Sequence, residues 1–100
     1  MNIEIAPYHT EKELSYENAL LYCFMLKIDD KVGWRIPTYA ELVYIHDKLD
    51  NDFSGWYLSS KINHINGSIK LKNFSESKHG FNLWVVPDSL AYIRPVRTIK

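Results

Sequence analysis

Residues Gly33–Leu42, with the sequence GWRIPTYAEL, carry the clearest local structural signal in the chain. Thr38 and Glu41 stand three positions apart, the spacing of a capping box in which each side chain accepts a hydrogen bond from the other residue's backbone amide. Pro37 lies just before this pair, where its missing amide proton costs no helical hydrogen bond. The pattern predicts a helix from Tyr39 to about Leu49. Its buried side chains should be those at helical spacing, namely Leu42, Ile45 and Leu49.

Upstream of this segment, the sequence predicts another helix. Ser15 can cap a helix over Tyr16–Leu26, and Glu17 falls in its first turn, where a negative charge suits the helix dipole. The stretch Ala19–Leu26 is apolar without a break. A helix that is apolar all round must be covered on more than one side, either by its own sheet and loops or by another subunit. We expect the cover to come from its own domain.

The remaining periodic segments predict strands. Ile3 and Ile5 alternate with polar residues, which is the period of a half-buried strand, and Pro7 ends that pattern. Asn66-Gly67 lies between apolar pairs and is a strong hairpin signal. Further strands are predicted at Trp56–Leu58, Leu83–Val86 and Ala91–Arg97, with a turn at Pro87–Ser89.

The order of the predicted elements is a strand, two helices and then strands to the end. This order indicates an α+β fold, and no repeat or linker divides residues 1–100 into more than one domain. The closing strand, Tyr92 to Val96, should return beside the strand that contains Ile3 and Ile5, so that the terminal strands pair.

The composition narrows the classes of partner. The chain has 12 basic and 12 acidic residues and a formal net charge of zero, so neither nucleic acid nor a membrane is expected to bind it. Cys23 is the only cysteine and cannot form an internal disulfide. Met1–Pro7 has neither a basic leader nor a long apolar run, so we expect no signal peptide and a location in the cytoplasm or in a virus particle. Lysine exceeds arginine, and Ile, Asn and Tyr are abundant, as in AT-rich phage or bacterial genomes.

Four more motifs accompany the GWRIPTYAEL segment in order along the chain: Ser15-Tyr16 with Tyr22-Cys23, then Trp56–Ser60, Leu83–Val86 and Tyr92–Arg97. Together, over residues 13 to 98, they resemble the Lcl C-terminal family, the domain found at the C-terminus of bacterial collagen-like adhesins. That family is similar to the C-type lectin-like and formylglycine-generating-enzyme folds. The resemblance implies two helices flanking a twisted antiparallel sheet, paired terminal strands and a variable loop region between the tryptophan strands.

The chain departs from this resemblance at its cysteines. Members of the family often carry a cysteine where Pro95 stands, in position to pair with a helix cysteine matching Cys23, and that bridge cannot form here. The formylglycine-generating enzymes need reactive cysteines late in the chain, and this sequence has none beyond Cys23. We therefore expect no oxidase activity of that kind.

Motifs for metals and catalysis are weak. Asp50–Gly55 begins like a calcium loop, but Lys61 occupies the twelfth position, where a bidentate glutamate belongs, so a polar turn is expected instead. The histidines lack zinc-ligand spacing, no serine has the setting of a nucleophile elbow, and no glycine-rich phosphate loop is present. We expect no metal, no cofactor and a non-enzymatic function.

A set of aromatic and charged residues is expected to support the fold rather than to bind a ligand. We expect the tryptophans to belong mainly to the core, and a role as ligand platforms is the second choice. The arginines and Glu41 could form an anion site, but an arginine paired with a buried carboxylate favours a structural role. The set is Trp34, Arg35, Thr38, Glu41, Trp56, Trp84, Arg94 and Arg97.

The stretch from Ser59 to Asn82 is the candidate recognition region. It is rich in Asn, Ser, Lys and His and contains Glu76 as its single acid. We predict that it meets an acidic surface on a protein partner, with a glycan as the second choice and a solvated loop without function as the alternative. The candidate binding residues are Lys61, His64, Asn66, Lys70, Lys72, Lys78 and His79.

The apolar helix is the competing site, and it would act in self-association through Ala19, Leu20, Phe24 and Met25. The expected function is therefore a non-enzymatic binding module with a protein partner. The alternatives are a structural virion component, such as a decoration or tail-fibre protein, and an enzyme whose site the sequence does not reveal.

Overall fold

The computed structural model describes residues 2–49, 55–73 and 81–99. The helices in these ranges are α1 (Tyr16–Met25) and α2 (Tyr39–Leu49), and a 3-10 turn covers Tyr8–Thr10. The strands are β1 (Ile3–Ile5), β2 (Lys12–Leu14), β3 (Trp56–Ile62), β4 (Ile69–Asn73), β5 (Phe81–Val85), β6 (Ala91–Ile93) and β7 (Val96–Thr98). The α+β class and the span of α2 are confirmed, whereas β2 was not predicted.

The capping box at the start of α2 forms as its spacing predicts. The Thr38 amide donates to Glu41 Oε1 at 2.8 Å, and the Glu41 amide donates to Thr38 Oγ1 at 3.1 Å. The same segment is tied to the end of the chain, because Arg35 and Val96 exchange two backbone hydrogen bonds of 2.7 and 3.0 Å. The GWRIPTYAEL segment therefore both begins a helix and joins it to the C-terminal strand.

The strands form a two-stranded sheet, β1-β7, and a five-stranded sheet in the order β2-β6-β3-β4-β5. The predicted sheet was purely antiparallel, and this is wrong at one pair: β3 and β6 are parallel, with Tyr57 opposite Tyr92. The chain leaves β5 at Val85 and returns to the start of β3 within residues 86–90, so β6 runs in the same direction as β3.

The terminal strands do pair, but Val96 is the only residue of the predicted partner strand, Tyr92 to Val96, that stands in the register. Ile3 lies opposite Thr98 and Ile5 opposite Val96. The predicted strand Ala91–Arg97 is split into β6 and β7 at Pro95, which has no amide proton to give to a strand ladder. Tyr92 therefore belongs to the other sheet, where it pairs with β2 and β3.

The two helices lie on opposite faces of the larger sheet, because neighbouring residues of one strand point to opposite sides. Leu58 of β3 belongs to the apolar cluster that contains Ala19 and Cys23 of α1. Its neighbour Tyr57 belongs to a second cluster with Leu42 and Ile45 of α2. The described part of the chain thus has three layers, with the sheet in the middle.

Removal of β1 is expected to destabilise the domain strongly. A chain lacking Met1–Ala6 loses the partner of β7 and the apolar contacts of Ile3 and Ile5 with the α2 cluster. We expect its melting temperature to fall by more than about 10 °C, measured by circular dichroism. Removal of Met1 and Asn2 alone, which leaves all three β1–β7 residue pairs in place, is the control and should change it little. If the chain lacking Met1–Ala6 had the same melting temperature as the intact chain, the stabilising role of the β1–β7 pairing would be contradicted.

Candidate interaction surfaces

The predicted recognition residues include three that lie exposed around the β3–β4 hairpin. Lys61, His64 and Asn66 are all exposed. The Asn66 amide oxygen is already engaged in the turn, since it accepts hydrogen bonds from the Ser68 amide at 2.9 Å and the Ser68 hydroxyl at 2.6 Å. The predicted hairpin is confirmed, although its turn is longer than Asn66-Gly67 alone, because Asn63 and Ser68 are joined by a backbone hydrogen bond.

The two lysines of β4 do not behave as the predicted rim charges. Lys72 is only 4% exposed, and its ammonium group donates to the Tyr39 hydroxyl at 2.6 Å. The Lys70 ammonium lies 4.2 Å from the centre of the Tyr39 ring and 5.8 Å from that of Trp84. The first residue of α2 covers this side of β4, so the expectation that Lys72 is an exposed rim charge is wrong.

The predicted recognition set is thus only partly brought together. Lys78 and His79 lie outside the described residues, as does Glu76. Lys70 and Lys72 share one face of β4 and pack against α2, whereas His64 and Asn66 lie in the turn. The predicted contact with an acidic partner surface stays a prediction for Lys61 and His64.

The tryptophans divide into buried and exposed. Trp34 is 4% exposed, and its indole nitrogen donates to the carbonyl of Lys31 at 3.1 Å. Trp56 is half-buried against the α1 cluster. Trp84 is 43% exposed, so its predicted place in the core is wrong. It stands on β5, which among the described residues is the last strand of the larger sheet and pairs with β4.

Arg35 and Glu41 form a bidentate ion pair at the start of α2. The two terminal guanidinium nitrogens donate to the two carboxylate oxygens at 2.6 and 2.7 Å, and one of them also reaches Thr98 Oγ1 at 3.1 Å. The Arg35 hydrogen bonds, aided by those of Thr38, lower the pKa of Glu41 below its ordinary value of 4.5. The pair therefore links α2, the preceding segment and β7.

The Arg35–Glu41 pair should make stability depend on pH in the acid range. Because the pKa of Glu41 is lowered in the folded chain, its contribution is complete above pH 4.5 and is lost as the pH falls through the folded-state value. We expect Glu41→Gln to lower the free energy of unfolding by about 2 kcal/mol at pH 7 and to flatten its decline below pH 4.5, measured by urea unfolding. Glu13→Gln, at an exposed position, is the control. If the free energy of unfolding of Glu41→Gln fell below pH 4.5 as steeply as that of the intact chain, the assignment of this pH dependence to Glu41 would be contradicted.

Arg94 is the centre of a buried polar cluster that joins the two sheets. Its side chain is 5% exposed, and it donates to Glu11 Oε1 at 3.0 Å and to the carbonyl of Ala6 at 2.6 Å. The Tyr57 hydroxyl donates to the same Glu11 oxygen at 2.7 Å. Burial, together with the Glu11 hydrogen bond, raises the pKa of Tyr57 well above its ordinary value.

Arg97 has a similar structural place at the paired termini. Its Nε donates to Glu4 Oε1 at 2.8 Å, and its guanidinium carbon lies 5.9 Å from the centre of the Trp34 ring. Glu4 also accepts from the Lys31 ammonium at 3.0 Å, and the two cations lower its pKa, with Arg97 the larger cause. The arginines of the predicted set are therefore committed to carboxylates of the chain itself.

The outer side of α1 carries large apolar side chains that the domain leaves uncovered. Only Ala19 and Cys23 of this helix are buried among the described residues, and the expectation that its own domain covers the helix is wrong. Alanine and cysteine are short, so α1 lies close on the sheet and everything that points away from it remains in solvent. The α1 surface consists of Leu20, Leu21, Phe24 and Met25, which are 47, 57, 83 and 72% exposed.

A shallow groove of about 360 Å³ lies at the end of the larger sheet, close to Tyr92. Its walls are mostly apolar, with Glu13 among them. Leu83, Val85 and Leu90 are among its lining residues. It lies on the sheet face opposite to Trp84, because Leu83 and Val85 alternate with Trp84 along β5, and none of the four α1 surface residues is among its lining residues.

Chemical groups that could support catalysis or a metal are sparse among the residues described. No group of three or more His, Cys, Asp or Glu side chains in these ranges could hold a metal ion. The calcium-like residues 50–54 fall outside the described part of the chain. The Cys23 thiol is buried, which raises its pKa to about 12 and disfavours the reactive thiolate.

In the ranges described, no helix has the length and apolar character that crossing a membrane requires.

Comparison with known proteins finds no family model that matches the chain and no curated protein that matches its sequence. The surfaces described above therefore carry the functional argument.

Proposed function

We propose that this chain is a non-enzymatic protein-interaction domain and that the α1 surface is its contact site. One observation carries this proposal: four large apolar side chains on one helix are 47 to 83% exposed. Contiguous apolar patches of this kind on a small domain mark sites where proteins bind. Phe24, the most exposed of the four, supplies the aromatic anchor that interfaces favour.

The chemistry of the α1 surface supports a protein partner over a sugar. Leucine, phenylalanine and methionine side chains carry no strong hydrogen-bond donor, whereas a glycan presents hydroxyl groups that must be paired. Of the seven candidates in the basic stretch, Lys70 and Lys72 have ammonium groups that lie against Tyr39. The site is therefore placed on α1 instead of on the basic stretch.

The finer fold proposal is a lectin-like domain of the Lcl C-terminal type. It is supported by the paired terminal strands and by helices on opposite sheet faces. The backbone pairing of Arg35 with Val96 joins the GWRIPTYAEL segment to the Tyr92–Arg97 motif of that resemblance and adds to this support. A structural component of a virion is the second candidate, favoured by an apolar helix that neighbouring subunits in an assembly would cover.

Site-specific cross-linking tests the proposed contact site. A photo-reactive phenylalanine analogue at Phe24, introduced in the organism of origin, should give a discrete cross-linked protein that mass spectrometry identifies. The same analogue at Ile65, which is 96% exposed and lies in the β3–β4 turn, is the matched control and should give none. Equal yields at the two positions, or a product only at Ile65, would contradict the proposal.

A further inference from the structure

We infer that the occupant of the α1 surface is a second copy of this chain, bound with its own α1 antiparallel across a two-fold axis. This inference rests on the proposed function, because it names the partner of the same surface. Three features of the described residues carry it: the arrangement of the apolar side chains, the amount of surface they expose, and the opposite charges at the two ends of α1.

The apolar side chains form two rows along α1 that can pack against a copy of the same helix. Leu20 and Phe24 are one helical turn apart and lie in line, and so do Leu21 and Met25. In an antiparallel pair centred near residue 22, Leu20 of one copy lies opposite Phe24 of the other, and the reverse contact follows from symmetry. Each bulky ring then meets a smaller branched side chain.

The exposed area is sufficient for a weak dimer. Side chains of these sizes and exposures present an apolar patch on the order of 500 Å². Two copies together would bury on the order of 1,000 Å², the lower end for a specific protein interface. We therefore expect an association in the micromolar range.

The charges at the ends of α1 select the antiparallel arrangement. Glu17 is exposed in the first turn and forms no ion pair within the described ranges. Lys27 follows the helix, has a side chain that is 63% exposed, and lies 3.6 Å from Asp30, a weak contact in solvent. An antiparallel pair centred near residue 22 brings Glu17 of each copy to Lys27 of the other. A parallel pair would place like charges together and align the two helix dipoles.

Mass measurement across a dilution series tests the dimer itself. The intact chain should pass from the mass of one chain to that of two within the micromolar range, by sedimentation or light scattering. Phe24→Glu should weaken this association at least about a hundredfold, and Ile65→Glu should leave it unchanged. A chain that stays monomeric into the millimolar range overturns the inference. If the cross-linker at Phe24 still identifies another protein, the proposed function survives with a different partner.

Charge reversal tests the antiparallel arrangement. Glu17→Lys alone and Lys27→Glu alone each create two like-charge contacts per dimer and should weaken association on the order of tenfold. An equimolar mixture of the two single variants should form a heterodimer of nearly the original affinity, because each introduced charge then meets its opposite. Melting temperatures check that both variants remain folded, and Glu17→Gln, with a smaller effect, replaces Glu17→Lys if that variant is not. Single variants that dimerise like the intact chain, or a mixture that shows no recovery, would overturn the inference.

Discussion

Glu11→Ala is expected to lower the free energy of unfolding by about 3 to 5 kcal/mol, the largest stability effect among the charged residues considered. The substitution leaves the Arg94 guanidinium buried without its carboxylate and removes the acceptor of the Tyr57 hydroxyl. The Glu11 and Arg94 side chains are 9 and 5% exposed, so water cannot readily replace the lost contact. Urea unfolding monitored by fluorescence measures the change.

Two further variants distinguish the loss of the Glu11–Arg94 ion pair from the general effect of replacing a glutamate. Glu13→Ala, at an exposed position on β2, should change the free energy of unfolding by less than about 0.5 kcal/mol. Combining Glu11→Leu with Arg94→Met removes both charges and should cost less than Glu11→Ala alone, because no buried charge remains unpaired. A Glu11→Ala chain as stable as the Glu13→Ala chain would show that the buried cluster contributes little.

Phe24→Glu is expected to abolish the association of the domain while leaving its fold intact. The Phe24 side chain is 83% exposed in the isolated chain, so a charged replacement costs the folded domain little. In a protein interface the same change buries an unpaired carboxylate where an aromatic ring had packed, and we expect binding to weaken by a factor of about a hundred or more. Titration against the partner identified by cross-linking measures the change.

The matched control is Ile65→Glu, which introduces the same charge at the apolar side chain that is 96% exposed in the β3–β4 turn. It should retain both the melting temperature and the binding of the intact chain. If Phe24→Glu and Ile65→Glu lose binding equally, the effect is one of net charge and not of the α1 surface. If Phe24→Glu lowers the melting temperature by several degrees, Phe24 supports the fold.

Local chemistry explains which parts of the fold could be predicted from the sequence. The start of α2 depends on Thr38 and Glu41, which are three residues apart, and both predicted hydrogen bonds are present. The pairing of the terminal strands followed from the order of elements, but its register did not, because the break at Pro95 delays the start of β7 to Val96. Contacts such as Glu11 with Arg94 join residues 83 positions apart and leave no local pattern.

The candidate sites likewise combine features that are visible in the sequence with features that only tertiary packing determines. The unbroken apolar run of α1 is visible in the sequence, but whether the domain covers it depends on how closely the sheet approaches Ala19 and Cys23. The alternation in β4 places Lys70 and Lys72 on one face, yet only the position of Tyr39 shows that this face is covered. Polar composition alone therefore could not show which lysines of this stretch are buried, because burial of a lysine is a property of tertiary packing.

Hydroxyl-radical footprinting of the α1 surface tests most directly whether a protein covers it in the native assembly. The Met25 side chain is 72% exposed in the isolated chain and should be oxidised rapidly in a dilute sample. In the assembled form taken from its natural source, we expect oxidation of Met25 and Phe24 to fall at least about fivefold, while that of Ile65 in the exposed turn stays constant. Equal oxidation of Met25 in the dilute and assembled samples would show that α1 remains in solvent and would contradict its role as the contact surface.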